Sequence, residues 1–452
     1  MPARRELTLL VRLALPIIVA QLAQISMVVA DTLMAGRVSA TDLAGVALGA
    51  SIYWPVMLFL SGILQSVTPS VSQLNGAGRV DAVAHVTRQA LWIAALSGTI
   101  MLGLMQFAGP FYGFMAVDAR AIPVATGYLS AVVWGLPPML GYYALRHLCE
   151  GMSWTLPGMV IALAALALKL PLNYWFIYGG LGLEPMGGVG CGVATAVVLW
   201  FELIAMILVV QFSRMRRIGV FSRMAAPDRR EIGRLVRLGL PIGAARFFEM
   251  AAFSVMALLI GRLGVEALAA HQIATTINGV TFMIPLALGV AATIRVGHYV
   301  GAGDPDGARR AAWIAIAASL GFAAIAASGL LLFRNGIAAL FSTDLQVVSL
   351  AAQLMVFIAV YQFFDDAQAT ATGALHGYKD TRTPMLVMAV SYWVIALPLG
   401  AVLAFGWGGQ GLGVLGFWWG ATFGLALVAA VLCARLRWLS RRAERIALYS
   451  LR

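Results

Sequence analysis

Charge is scarce in this sequence. Of 452 residues only 11% are Asp, Glu, Lys or Arg, 61% are hydrophobic, and the mean hydropathy is +0.88. Soluble domains carry about a quarter charged residues, so an ordinary water-soluble globule is excluded. Acids are scarcer than bases, 19 against 31, which leaves a formal charge of +12. In a soluble chain that balance would point to nucleic acid; here the basic residues have to be read by position, as marks of membrane orientation, and no nucleic-acid partner is expected. Cysteine is nearly absent, and the spacing of Cys149, Cys191 and Cys433 fits neither a metal site nor a redox motif. No Walker loop, zinc motif or triad-like grouping of Ser, His and acid occurs, and the five His are scattered singly. An ATP-driven pump or an enzyme therefore has no visible machinery, no cofactor is expected, and energy must come from an ion gradient or a partner protein. Gly76-Ala77-Gly78 and Gly301-Ala302-Gly303 read as turns rather than phosphate loops. The apolar run from Leu13 to Ala35 is too long for a signal-peptide core and is expected to be a retained first helix.

What is present is long apolar runs. A helix rises about 1.5 Å per residue, so roughly 20 apolar residues cross the hydrocarbon layer. Twelve segments qualify, approximately 9–35, 46–70, 89–110, 123–145, 157–178, 189–212, 236–261, 271–296, 311–333, 346–372, 384–405 and 413–435. With twelve crossings, 24 of the 31 Lys and Arg fall on the side shared by both termini and the central loop, four fall opposite, and Lys169, Arg246 and Arg295 fall within spans. The positive-inside rule puts the termini and that loop in the cytoplasm. Lys169 and Arg295 are expected to snorkel from near the ends of their spans. The basic segment 213–234 reads as a linker between an N-terminal lobe, 1–212, and a C-terminal lobe, 235–452.

The lobes are copies. An ungapped shift of 225 positions pairs Leu10-Val11-Arg12-Leu13 with Leu235-Val236-Arg237-Leu238, Leu15-Pro16-Ile17 with Leu240-Pro241-Ile242, Gly36-Arg37 with Gly261-Arg262, and Asp81 with Asp306. Leu170-Pro171 answers Leu397-Pro398 at a slightly different shift. Because six is even, both copies start on the same face. The expected fold is all-α, twelve transmembrane helices in two six-helix bundles related by a pseudo-two-fold axis along the membrane normal. Such a duplication suits alternating access.

Five acids fall within the spans: Asp31, Glu202, Glu249, Asp365 and Asp366. Each costs about 2.5–3.5 kcal/mol at the bilayer centre on insertion scales, so each needs a partner, water or a task. The shift of 225 pairs Glu249 with Gln24, seven residues before Asp31, so the two acids occupy corresponding faces of equivalent helices. Asp31 has no base nearby in its span except Arg37, which leaves it free to face a cavity. Glu249 has Arg246 one turn earlier and can pair with it. For Glu202 a structural ion pair is the favoured reading. Asp365 and Asp366 are adjacent, about 100° apart on a helix, and do not both face one site.

Ala30-Asp31-Thr32-Leu33-Met34-Ala35-Gly36-Arg37, Leu170-Pro171-Leu172-Asn173-Tyr174, Gly187 to Thr195, Leu268-Ala269-Ala270-His271-Gln272-Ile273 and Asp365-Asp366-Ala367-Gln368 resemble the multidrug and toxic compound extrusion family, specifically its NorM-like branch. The resemblance covers nearly the whole chain. It implies a two-lobe multidrug antiporter of the bacterial inner membrane that exports lipophilic organic cations in exchange for Na⁺ or H⁺, with each copy of the chain acting as a monomer. Glu249 and Asp365 match the carboxylates that hold the coupling cation, Na⁺ being a candidate ligand there, with Asp366 a coupled partner. Asp31, Asn173 and Thr195 match oxygen-bearing positions of a further site for substrate or proton. Where some members carry another acid a turn after the asparagine, this chain has Ile177. By the same resemblance Asp344, in Phe341-Ser342-Thr343-Asp344, is a candidate substrate contact, its plain alternative being a helix cap. A lipid-linked oligosaccharide flippase of related architecture is the rival reading, but its cavity would be expected to carry basic residues for phosphate, whereas this sequence offers chiefly acids.

Overall fold

A computed structural model describes residues 3–107, 112, 119–180, 182–223, 225–406 and 411–441. The basic tail expected on the cytoplasmic side beyond Arg441 lies outside them. The described residues are almost entirely helical: α1 (Ala3–Val38), α2 (Ala40–Leu64), α3 (Val67–Gly76), α4 (Val80–Gln106), α5 (Ile122–Val132), α6 (Leu136–Gly151), α7 (Leu156–Tyr178), α8 (Gly188–Phe212), α9 (Arg229–Ile260), α10 (Val265–Thr281), α11 (Met283–Gly301), α12 (Pro305–Ala339), α13 (Leu345–Gly377), α14 (Arg382–Val390), α15 (Leu397–Phe405) and α16 (Val414–Ser440). Among the described residues eleven helical stretches are long and apolar enough to cross a membrane. The remaining expected span, 123–145, is helical but broken: α5 and α6 are joined by a 3₁₀ turn at Val133–Gly135, ahead of Pro137 and Pro138. Proline has no N–H to continue a helical ladder, which accounts for the break.

By packing, the chain divides into two compact units, Pro16–Gly243 and Met1–Leu15 with Ala244–Arg452. The divides fall inside α1 and α9, close to the repeated Pro16 and Pro241, which sit within these helices. The segment 213–234 is no free tether; it packs within the first unit. Arg88 Nε donates to the Val220 carbonyl at 2.7 Å, Trp92 Nε1 to that of Ala225 at 2.9 Å, and Asp228 N to Gln89 Oε1 at 2.8 Å.

The duplication is visible in the backbone of each unit. Left-handed conformations recur at Gly78 (φ 69°) and Gly303 (φ 72°), at Gly187 (φ 56°) and Gly413 (φ 60°), and even at the non-glycine pair Ser153 (φ 58°) and Lys379 (φ 61°). Gly78 and Gly303 follow α3 and α11, where a left-handed residue closes off helix carbonyls and only glycine does so without steric cost. In the first unit α6 packs on α3, α4 and α8, and α7 on α8. In the second, α13 is the central helix, contacting α10, α11, α12 and α16. Its Gly373 lies directly on the Gly289 backbone of α11, a close approach of the kind small residues allow between membrane helices.

α14 and α15 are joined by a π-helical segment, Ser391–Ala396, just before Pro398. The proline cannot donate to the carbonyl four residues earlier, and a wider turn accommodates the missing bond.

Candidate functional site

In the first unit a cavity of about 170 Å³ is lined by α1, α2, α7 and α8 among others, with Asp31, Lys169, Thr195 and Glu202 on its wall and Tyr53, Trp54, Tyr128 and Met57 beside them. Three sequence-predicted residues, Asp31, Asn173 and Thr195, come together here. Asn173 Nδ2 donates to Asp31 Oδ1 at 2.6 Å. Thr195 Oγ1 donates to the Cys191 carbonyl at 2.7 Å and receives the Lys169 ammonium.

Lys169 corrects two expectations. It does not snorkel: it is 1% exposed, and its Nζ lies 3.0 Å from Asp31 Oδ1. Asp31 is accordingly not an unpaired acid. The physical reason is the turn geometry of α7. Lys169 and Asn173 are four residues apart and share a face, so a helix that presents Asn173 to Asp31 presents Lys169 as well. That spacing was the available signal, and it reads only once Asn173 is known to face α1.

Arg295 is the second correction to snorkelling. Its guanidinium grips Glu6 through Nε–Oε1 at 2.7 Å and Nη2–Oε2 at 2.9 Å, and Tyr299 Oη donates to Glu6 Oε2 at 2.8 Å. Both partners lie in the second unit, because the start of α1 packs there. Glu202 makes no ion pair within 4 Å among the described residues, although the charges of Arg146 and Lys169 act on it. It is 2% exposed, lines the first cavity, and its Oε1 has no hydrogen-bond partner among the described residues.

In the second unit a cavity of about 380 Å³ is lined by Glu249, Asp365, Asn278, His271 and Tyr361. Tyr392, carried by the π-helical segment, donates to Glu249 Oε1 at 3.1 Å, and the neighbouring Trp393 Nε1 donates to the Phe248 carbonyl at 3.1 Å. Asp365 Oδ1 and Asn278 Oδ1 are buried acceptors without a donor among the described residues. Unsatisfied buried acceptors are uncommon, and a proton, a cation or a water would each complete them. Oxygen donors of this kind suit a hard monovalent or divalent ion. No group of three or more His, Cys, Asp or Glu fit to hold a metal ion occurs among the described residues.

Asp366 does not line this cavity. It turns to α12, where Ser319 Oγ donates to its Oδ2 at 3.0 Å, and Gln362 Nε2 donates to its Oδ1. Asp344 is exposed and caps α13, accepting from Gln346 N at 2.8 Å and Val347 N at 3.4 Å. At the start of α9, outside the membrane-spanning segments, Asp228 accepts from Arg230 N at 2.9 Å and from Glu231 N at 3.4 Å, and meets His85 Nε2 at 3.2 Å. These donors, the Arg230 amide first and then His85, hold its carboxyl below the usual range.

A multi-pass helical protein whose buried carboxylates line a cavity in each of two duplicated units has the make-up of a membrane transporter rather than of a soluble binding protein. The family model described as MatE matches residues 16–175 and 241–402, one stretch in each copy of the repeat. The multidrug resistance protein NorM of Aliivibrio fischeri is 41% identical over 445 residues, covering 98% of this chain and 97% of that one. The multidrug resistance protein PmpM of Pseudomonas aeruginosa is 44% identical over 442 residues, covering 97% and 93%. Among solved structures, a MATE transporter in a bent conformation matches with a TM-score of 0.89 at 17% identity over 100% of both chains. The eukaryotic MATE transporter AtDTX14 matches with 0.85 at 22%, covering 98% of this chain and 99% of its own. At those identities the two structures speak for the fold. The chain belongs to the multidrug and toxic compound extrusion (MatE) family, in its NorM-like branch.

Proposed function

We propose that this protein is a multidrug efflux antiporter that exports lipophilic organic cations in exchange for Na⁺ or H⁺. Relatives named as multidrug resistance proteins, similar over nearly their whole length, support the efflux role. The observation that carries the exchange is the second unit's cavity, where Glu249, Asp365 and Asn278 share one wall and the buried Oδ1 atoms of Asp365 and Asn278 have no donor among the described residues. A Na⁺ ion would find hard oxygen ligands there, and a proton would find a carboxylate that is costly to keep charged. The aromatic and methionine wall of the first cavity is the place for a flat, apolar cation. Arrival of the coupling ion removes negative charge, and release of the substrate follows from lost attraction. An ion shifts a conformational balance only through unequal affinity for the two states, so these carboxylates must change surroundings during transport.

A lipid-linked oligosaccharide flippase is not favoured. The carboxylates lining the cavities outnumber the one ammonium, Lys169, that lines them, and that ammonium is already paired with Asp31. The setting we infer is the bacterial inner membrane, with both termini cytoplasmic and a single chain as the working unit.

Efflux of ethidium from proteoliposomes holding the purified protein, with Na⁺ and pH gradients imposed separately, tests the reading. Efflux accelerated by an opposing gradient of one of these ions is expected. Rates indifferent to both gradients would refute ion-coupled exchange.

A further inference from the structure

Asp31 is already occupied. Its Oδ1 takes the Lys169 ammonium at 3.0 Å and the Asn173 amide at 2.6 Å, while the same ammonium reaches Thr195 Oγ1 and, at 3.5 Å, the Cys191 carbonyl. A carboxylate, a hydroxyl and a backbone carbonyl are the oxygen types that coordinate a free alkali ion. Here they surround a tethered cation instead, on a side chain only 2% exposed. A charge so enclosed stays because removing it would leave Asp31 buried and unpaired.

Glu202 is the acid of that cavity that has no ion pair among the described residues. It follows Thr195 by seven residues, two turns along α8, and so presents itself on the same face. On the cavity wall Asp31 and Lys169 pair with each other, and the Lys169 ammonium also attracts Glu202 from beyond ion-pair distance. Arg146, the nearest guanidinium on α6, is committed to Glu150 at 2.9 Å, which also holds His147 at 2.8 Å. Glu202 therefore lines a cavity it shares with Tyr53, Trp54 and Tyr128, and its buried Oε1 has no donor among the described residues.

We propose that Lys169 is a resident cation filling the oxygen site made by Asp31, Thr195 and the Cys191 carbonyl in place of a free coupling ion, and that Glu202 is the carboxylate that meets the positive charge of an organic cation bound in this cavity. The second half rests on the cationic-substrate reading above. The first half does not, and it confines alkali-ion exchange to the Glu249 and Asp365 cavity.

The test is equilibrium binding of tritiated tetraphenylphosphonium and of ²²Na⁺ to the full-length protein purified in detergent, each variant being accepted only if it elutes as a single species. Losing a charged partner is worth about tenfold or more in affinity, so Glu202→Gln should weaken tetraphenylphosphonium binding by about that factor, and Glu202→Asp should restore most of it. Lys169→Met should add one bound Na⁺ per chain relative to the unsubstituted protein, lost again in the Lys169→Met, Asp31→Asn double variant. Unchanged tetraphenylphosphonium affinity in Glu202→Gln would overturn the assignment of Glu202. An unchanged Na⁺ count in Lys169→Met would overturn the resident cation, and this arm stands even where Glu202→Gln does not fold. If the unsubstituted protein fails to bind tetraphenylphosphonium while exporting a neutral fluorophore, the cationic-substrate reading itself falls, and the Glu202 assignment with it.

Discussion

A carboxylate that gives up its water must find another partner, and the acids of the two cavities do so differently. Asp31 is neutralised by a lysine, Glu249 accepts from a tyrosine hydroxyl, and Asp365 and Glu202 each keep an oxygen without a donor among the described residues. Asp366 lies outside this division of labour, since its partners are Ser319 and Gln362. Ser319→Ala should therefore cost about 1–3 kcal/mol of stability, the penalty for leaving a buried acceptor unsatisfied, while substrate affinity stays unchanged. Thermal unfolding in detergent and a binding isotherm check the two halves of that statement. At this scale the sequence was half legible. The acids announced themselves because charge is costly in an apolar span. Their partners did not, because Lys169 meets Asp31, and Arg295 meets Glu6, across distances in sequence that only the packed helices close. Periodicity reports which face a residue occupies but not which helix that face meets.

Helix ends and helix contacts carry the next set of consequences. Gly303 holds φ 72° with open space where a side chain would go, so Gly303→Ala meets backbone strain and no clash. We expect a loss of about 1–2 kcal/mol, read from thermal unfolding. Arg295→Ala strips Glu6 of both its charge-assisted bonds and leaves a buried carboxylate, a change that costs about 3–5 kcal/mol in comparable pairs. The expected outcome is a large fall in the unfolding midpoint with early release of the first turns of α1, visible by hydrogen exchange. Asp228, at the start of α9, supplies a pH dependence. Its carboxyl is held below the usual range, so its capping contribution is complete above the ordinary carboxylate range and is lost as pH falls through the lowered value. Exchange of the Arg230 and Glu231 amides should speed up over that acid interval in the natural protein and be fast at every pH in Asp228→Ala. The elements themselves were the most legible feature, since apolar length marks a span directly. The 3₁₀ break at Val133–Gly135 and the π-helical segment at Ser391–Ala396 were less so. Proline marks that a ladder is interrupted, but whether the turn tightens or widens is decided by what packs beside it, here Tyr392 reaching Glu249.

Across the molecule, one supersecondary plan is used twice, with the same left-handed positions recurring in each copy, and the chemistry differs between the copies. The repeat was readable because an ungapped register of identities over so many positions also fixes equivalent turns. The difference was not, because it depends on a single lysine in α7 that pairs with Asp31 in one cavity, while the carboxylates lining the other have no lysine or arginine on their wall. In the proposed exchange, Glu249 and Asp365 are the place where one positive charge displaces another. Gradient-driven ethidium efflux in proteoliposomes, measured for the natural protein beside Glu249→Gln, tests this most directly, because the amide oxygen can still accept from Tyr392 and preserve the packing. The predicted result is loss of the gradient-stimulated component with an unchanged unfolding midpoint; stimulation of equal size in the two proteins would contradict the account.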